Sequence, residues 1–291
     1  MSNKIKKVIV LVWTAFTEML PEMISPWDKN IETDLDEYLY VDTIVFDSLK
    51  KAFPESEIKV VCVGKLSGKR RELLLQKTNE VQATSFIETE YIEPQDKVLR
   101  NIIFSLSNFE EPVALVDSDI IFWDRFDDVS DSLYEGYFVP SYEECYSNHP
   151  QESKVFVHEN IHAAFLKIKN PKLLAEKILN AESQYPLLDL CKPTTVNRIG
   201  NWEHYDTLSL LHSMVSKDVR KLNKKDLSKF VHLYGGNQLD YYTYMMFENN
   251  PRSLELSKLY EKIHLCVKNQ DYEKLKGLWG WYKEYKFELL T

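Results

Sequence analysis

Long apolar runs are missing from this sequence. None reaches the roughly 18 residues that a membrane span requires, so no transmembrane segment is expected. Cysteine is scarce: Cys62, Cys145, Cys191 and Cys266 are scattered, with no Cys-x-x-Cys pair. That spacing argues against a zinc site and a disulfide framework and predicts a protein of the reducing cytoplasm. A basic balance is also lacking. The formal net charge is −9, which disfavours non-specific binding to phosphate backbones. No glycine follows the first apolar run, where the chain reads Trp13-Thr14-Ala15-Phe16-Thr17, so no glycine-rich phosphate loop is expected there. Internal repeats, low-complexity tracts and linkers are absent as well.

What is present reads as one globular chain. Its 44% hydrophobic and 28% charged residues suffice for a full core at this length and exclude a disordered chain. Lys4, Lys6 and Lys7 followed by Val8–Trp13 resemble a signal peptide only superficially, because Glu18 and Glu22 come soon after and no cleavage site follows. The segment Lys6–Trp13 is therefore expected to be the first strand.

Strand and helix patterns then alternate. A second buried strand is expected at Ile58–Val63, a weaker strand at Gln82–Ile87 and a third strong strand at Pro112–Val116. Helices are expected within Leu39–Phe53, Gly68–Lys77 and Pro94–Leu106. Such alternation predicts a mostly parallel sheet with ligands at the carboxyl ends of its strands. Further on, strands are expected at Gly136–Pro140, His162–Ile168 and Phe230–Tyr234. Pro171–Asn180 and Trp202–Ser213 are expected to be helical, and Pro186–Asn201 a loop. The locally basic segment Lys217–Lys229 reads as a solvated helix face, and Asp124, Asp127, Asp128 and Asp131 as a solvated acidic loop.

Two Asp-x-Asp triplets occur, and their surroundings separate them. Asp34-Leu35-Asp36 lies in an acidic stretch before a helix, as capping and surface residues do. Asp117-Ser118-Asp119 is flanked by Val113-Ala114-Leu115-Val116 and by Ile120-Ile121-Phe122. Core residues on both sides hold its carboxylates at a sheet edge. Like charges at that spacing repel unless a cation joins them.

The stretch Glu111–Asp124, EPVALVDSDIIFWD, closely resembles the metal-binding segment of GT-A glycosyltransferases, nucleotide-diphospho-sugar transferases with a Rossmann-like sheet. The resemblance extends from about Lys6 to Phe247. His162-Ala163-Ala164-Phe165 is similar to the family's strand beneath the acceptor, and Trp202–Thr207 to its acidic acceptor segment. Val231–Gly236 is similar to the late strand whose histidine completes metal binding in several subfamilies. The Lys-Pro-Trp that follows this histidine in glycogenin-like enzymes is missing.

The resemblance implies a single α/β GT-A domain over 1–250, with a mostly parallel central sheet flanked by helices. Residues 1–125 would bind the nucleotide sugar, and 126–250 the acceptor. A helical extension over 251–291 would pack on the same domain. It also implies a Mn²⁺ or Mg²⁺ cofactor with Asp117, Asp119 and His232 as its ligands, an imidazole tilting the choice toward Mn²⁺. Donor binding would involve Asp117, Asp119, Lys97, Arg100, Trp13 and Phe16. Asp206 or Glu203 would act on the acceptor hydroxyl, in either an inverting or a retaining enzyme. The donor would be a nucleotide-diphosphate sugar. A glycan, a lipid-linked sugar, a protein and a modified DNA base all remain open as acceptors, and so does the oligomeric state. Two rivals use the same residues. One is a nucleotidyltransferase or phosphotransferase, weakened by the missing glycine-rich loop; the other is a non-catalytic binding protein on a degenerate transferase fold.

Overall fold

The computed structural model describes residues 4–13, 45–64, 68–89, 96–118, 120–139, 142–146, 153–157, 160–187, 197–199, 202–204 and 209–232, with isolated positions between 190 and 277. Continuous apolar runs become the central strands, because only a strand covered on both faces can bury every side chain. Thus Lys7–Trp13 forms β1, Glu57–Val63 β2 and Val113–Asp117 β4. Ser85–Thr89 is β3, displaced a few residues beyond the expected Gln82–Ile87. Gln82 takes a positive φ of 54° in the turn before it, which moves the start of pairing onward. Between these strands lie α1 (Phe46–Ala52), α2 (Gly68–Glu80) and α3 (Asp96–Ser105).

The chain continues through β5 (Ile120–Phe122), β6 (Tyr134–Val139), β7 (Tyr142–Tyr146), β8 (Ser153–Val157) and β9 (Asn160–Ile168). Helix α4 (Pro171–Glu182) follows, with Asn170 accepting the Leu173 N–H as its cap and Pro171 in the first turn. The last described elements are β10 (Asn197–Ile199), β11 (Trp202–His204), α5 (Ser209–Val215), β12 (Val219–Lys221), α6 (Lys224–Leu227) and β13 (Phe230–His232).

Seven strands form the main sheet in the order β12-β6-β9-β4-β1-β2-β3. All neighbours pair in parallel except β9, which runs antiparallel to both β4 and β6. The expected α/β architecture with a mostly parallel sheet between helices is the one observed. Side chains alternate between two cores. Val8, Val10, Val12, Ala114 and Val116 face α1 and α2. Ile9, Leu11, Val113 and Leu115 face α3, α4 and α5.

Three expectations are corrected. Trp202–Ser213 is not one helix: Trp202–His204 is a strand paired with β10, and the helix begins only at Ser209. The register pairs Ile199 with Trp202, and the Gly-Asn that separates them in sequence is a hairpin signal within the expected loop. The buried Leu210, Leu211 and Val215 are what drive helix α5, and all lie after this hairpin. Lys217–Lys229 is likewise no helix face but β12 followed by the single turn α6. Finally, Asp127 is buried, not solvated, and is bonded by Arg125 and Lys4. Most of the expected helical extension over 251–291 lies outside the described residues.

Candidate active site

The strand order places a topological switch point between β1 and β4. From β1 the chain winds outward through β2 and β3, then returns to the other side of β1 as β4. A crevice opens at the carboxyl ends of the two strands where such a sheet reverses, and ligands bind there. Asp117 is the last residue of β4 and pairs in register with Leu11 of β1. Trp13 closes β1 two residues further on, at the same edge. Alternation puts Asp117 on the side of Val113 and Leu115, facing the α3–α4–α5 layer.

The Asp117 carboxylate is half-buried and accepts the Ser118 N–H at 2.8 Å. Helix α1 holds the segment beyond it at two points. The Val45 N–H donates to the Ser118 carbonyl at 3.2 Å, and the Phe122 N–H donates to Ser48 Oγ at 3.0 Å. The Ser48 hydroxyl in turn donates to the Val45 carbonyl at 3.1 Å. Ser48 and Val45 thus clamp both ends of the motif's outgoing strand, a role missed in the sequence reading. A serine that shares the buried face of a helix with Val45 and Leu49 is the signal that marks it.

Strand β13 pairs antiparallel with β5, Phe230 opposite Phe122 and His232 opposite Ile120. Directly opposed residues lie about 5 Å apart at Cα. His232 is therefore held beside the residue that immediately follows Asp119. The imidazole is buried and meets the Tyr137 ring edge-on, with centroids 5.8 Å apart. The aromatic cluster below fixes this pairing: Phe122 touches Phe53, Phe126, Phe165 and Phe230 at centroid distances of 5.3–6.1 Å.

Lys97 and Arg100 belong to the first turns of α3. That helix starts at the carboxyl edge of the sheet, because its far end leads down to the start of β4. Arg100 is held by Glu182 of α4 through both its Nε and an Nη (2.6 Å) and lies over the Phe104 ring at 4.2 Å. Its guanidinium is thus committed to a carboxylate. Lys97 has no ion pair among the described residues and lines, with Arg100, Asn101, Glu182 and Tyr185, a cleft of about 370 Å³. Glu203 lies on β11 opposite Arg198, away from the helix expected for it. Asp119, Phe16, Asp206 and the control pair Asp34 and Asp36 lie outside the described residues.

A divalent cation fits the chemistry of this donor set. Carboxylates with one imidazole suit Mn²⁺, and Mg²⁺ accepts the carboxylates with substrate phosphates. Among the described residues, which exclude Asp119, no group of three His, Cys, Asp or Glu side chains is gathered for a metal.

The fold and the site edge together define an α/β protein with a carboxylate motif at the switch point of an open sheet. No family model matches the sequence, and no curated protein is similar to it. Among solved structures, the chain is similar to the glycosyltransferase GlyE of Streptococcus pneumoniae TIGR4, at 15% identity and a TM-score of 0.37, over 77% of this chain and 46% of that one. It is similar to the galactosyltransferase LgtC, solved with donor and acceptor sugar analogues, at 14% identity and 0.39, over 75% and 74%. It is also similar to 4-diphosphocytidyl-2C-methyl-D-erythritol synthase of Anaerococcus prevotii, at 9% identity and 0.42, over 82% and 94%. The chain spans less than half the length of the GlyE chain. At TM-scores below 0.5 these likenesses carry no weight for function, which rests on the chain's own residues.

Proposed function

We propose that the protein is a metal-dependent glycosyltransferase that moves a sugar from a nucleotide-diphosphate donor to an acceptor hydroxyl. The observation that supports this reading is the β13–β5 register, which sets His232 opposite Ile120, one residue from the Asp117-Ser118-Asp119 motif at the switch point. In this reading Asp119 and His232 bind Mn²⁺ or Mg²⁺ directly, and Asp117 binds through water or holds the ribose. When bound, the cation neutralises charge on the departing diphosphate. Trp13 and Phe16 line the base side, and Lys97 is the cation of α3 available to a phosphate. Arg100 braces α3 against α4 through Glu182 and reaches a donor only by giving up that pair. Asp206 accepts the acceptor's proton if the reaction inverts, with Glu203 as the second candidate.

Replacing the carboxylates tests the motif. Asp119→Ala should abolish transfer with the melting temperature unchanged or raised, since it removes a ligand and relieves carboxylate repulsion. Asp34→Ala, the same residue type in the other triplet, should leave transfer unchanged. Equal behaviour of the two variants sinks the assignment.

A further inference from the structure

Strands β6 and β9 do not pair evenly along their length. Tyr134, Glu135 and Gly136 meet Ile168, Lys167 and Leu166 in simple antiparallel register, but the next pairs are Phe138 with Ile161 and Val139 with Asn160. Between the two registers β6 has one residue, Tyr137, and β9 has four, His162–Phe165. A bulge of this kind interrupts regular pairing and redirects the strand, and bulges concentrate beside active sites.

This bulge touches both halves of the candidate site. On the other flank of β9, pairing with β4 stops at Val116 and Phe165, and Asp117 is the next residue of β4, level with the bulge. Tyr137, the single β6 residue opposite the bulge, packs edge-on against His232 with ring centroids 5.8 Å apart. The two ends of the bulge are held by different means. At one end Phe165 is fully buried in the aromatic cluster with Phe122, Phe126 and Phe230. At the other end the Ile161 N–H donates to Nδ1 of His212 on α5 at 3.1 Å. A ring nitrogen that accepts a backbone N–H carries no proton of its own. Leu210, Leu211 and Val215 seat α5 in the core, and the Phe138 ring meets His212 edge-on at 6.2 Å. The His212 ring thus ties a packed helix to the far end of the bulge.

We infer that His212 is a positioning residue of the candidate active site. By accepting the Ile161 N–H it fixes the β9 bulge between Asp117 and Tyr137, and with it the wall of the crevice where substrate binds. The inference rests on the reading of that crevice as the substrate site.

Two substitutions separate this role from that of a plain strand cap. Asn sets its Oδ1 along the same bond path as histidine Nδ1, so His212→Asn keeps an acceptor for the Ile161 N–H, and His212→Leu removes it. Hydrogen exchange of the full chain without ligand is the first readout. In His212→Leu, amides of 158–166 and of 114–120 should exchange about tenfold faster than in wild type, while those of β2 and β3 keep their rates. His212→Asn should restore both segments. Affinity for UDP in Mn²⁺ should follow the same order. It should fall about tenfold in His212→Leu, as when the binding-competent arrangement drops to roughly one tenth. Faster exchange confined to 158–166, with UDP affinity unchanged, would make His212 a local cap and overturn the inference. Wild-type exchange in His212→Leu would overturn it as well, and so would a His212→Asn variant that recovers nothing. A wild type that does not bind UDP in Mn²⁺ would refute the proposed donor instead, and exchange over 114–120 would still decide the role of His212.

Discussion

Glu135 is almost fully buried in β6, yet it is surrounded by partners. It accepts the Ser130 N–H at 2.5 Å and an Arg220 N–H at 2.7 Å, with the Lys167 ammonium 3.7 Å away. Burial opposes its ionisation, but the Ser130 hydrogen bonds, the Lys167 charge and Arg220 outweigh it and hold its pKa below the usual carboxylate range. A carboxylate depressed on folding contributes stability that is complete above its unfolded pKa and lost as pH falls through the folded value. The wild type should therefore lose stability progressively below about pH 4. Glu135→Gln should flatten that acid limb in urea titrations. At neutral pH it should cost roughly 3–5 kcal/mol, because Lys167 stays buried without its counter-charge. Burial lowers the Lys167 pKa, so this penalty should shrink as pH rises and the amine loses its proton. Asp206 poses a different question at the same scale. As a general base it should contribute about 10²- to 10⁴-fold, so Asp206→Asn should cut turnover by that much with donor affinity unchanged. Near-normal turnover would transfer the role to Glu203.

At the scale of elements, α1 matters more than its seven residues suggest. It anchors the motif's exit strand through Ser48 and Val45. Ser48→Ala would leave the Phe122 N–H buried without an acceptor, at a cost of about 1–3 kcal/mol. A lower melting temperature should be accompanied by weaker nucleoside diphosphate binding, whereas a purely structural clamp would change the first alone. The same scale shows where sequence patterns are informative. Apolar runs on strands buried on both faces are unambiguous, and β1, β2 and β4 fall within a residue or two of expectation. The hairpin β10–β11 was legible only in Gly200-Asn201, because its strands are three residues each and carry no period long enough to read. Asp127 shows a different blind spot. Arg125, two residues away, is one of its partners, but the other, Lys4, is 123 residues away in the chain, and no local pattern reports it.

For the whole molecule, the sheet order gathers what the sequence keeps apart. Asp117 and His232 are separated by more than a third of the chain, and the switch point and the β13–β5 register bring their strands together. The carboxylate motif was readable from its apolar flanks, and His232 from the resemblance of its strand; the register that sets His232 opposite Ile120 required the fold. If these residues hold a cation for a nucleotide sugar, ligand and metal must stabilise the protein jointly. Thermal unfolding with UDP, in Mn²⁺ and in excess chelator, measures this directly. The account predicts stabilisation in Mn²⁺ of about 2.7 kcal/mol at a hundred times the dissociation constant, and none in chelator. Equal stabilisation in both conditions would contradict it.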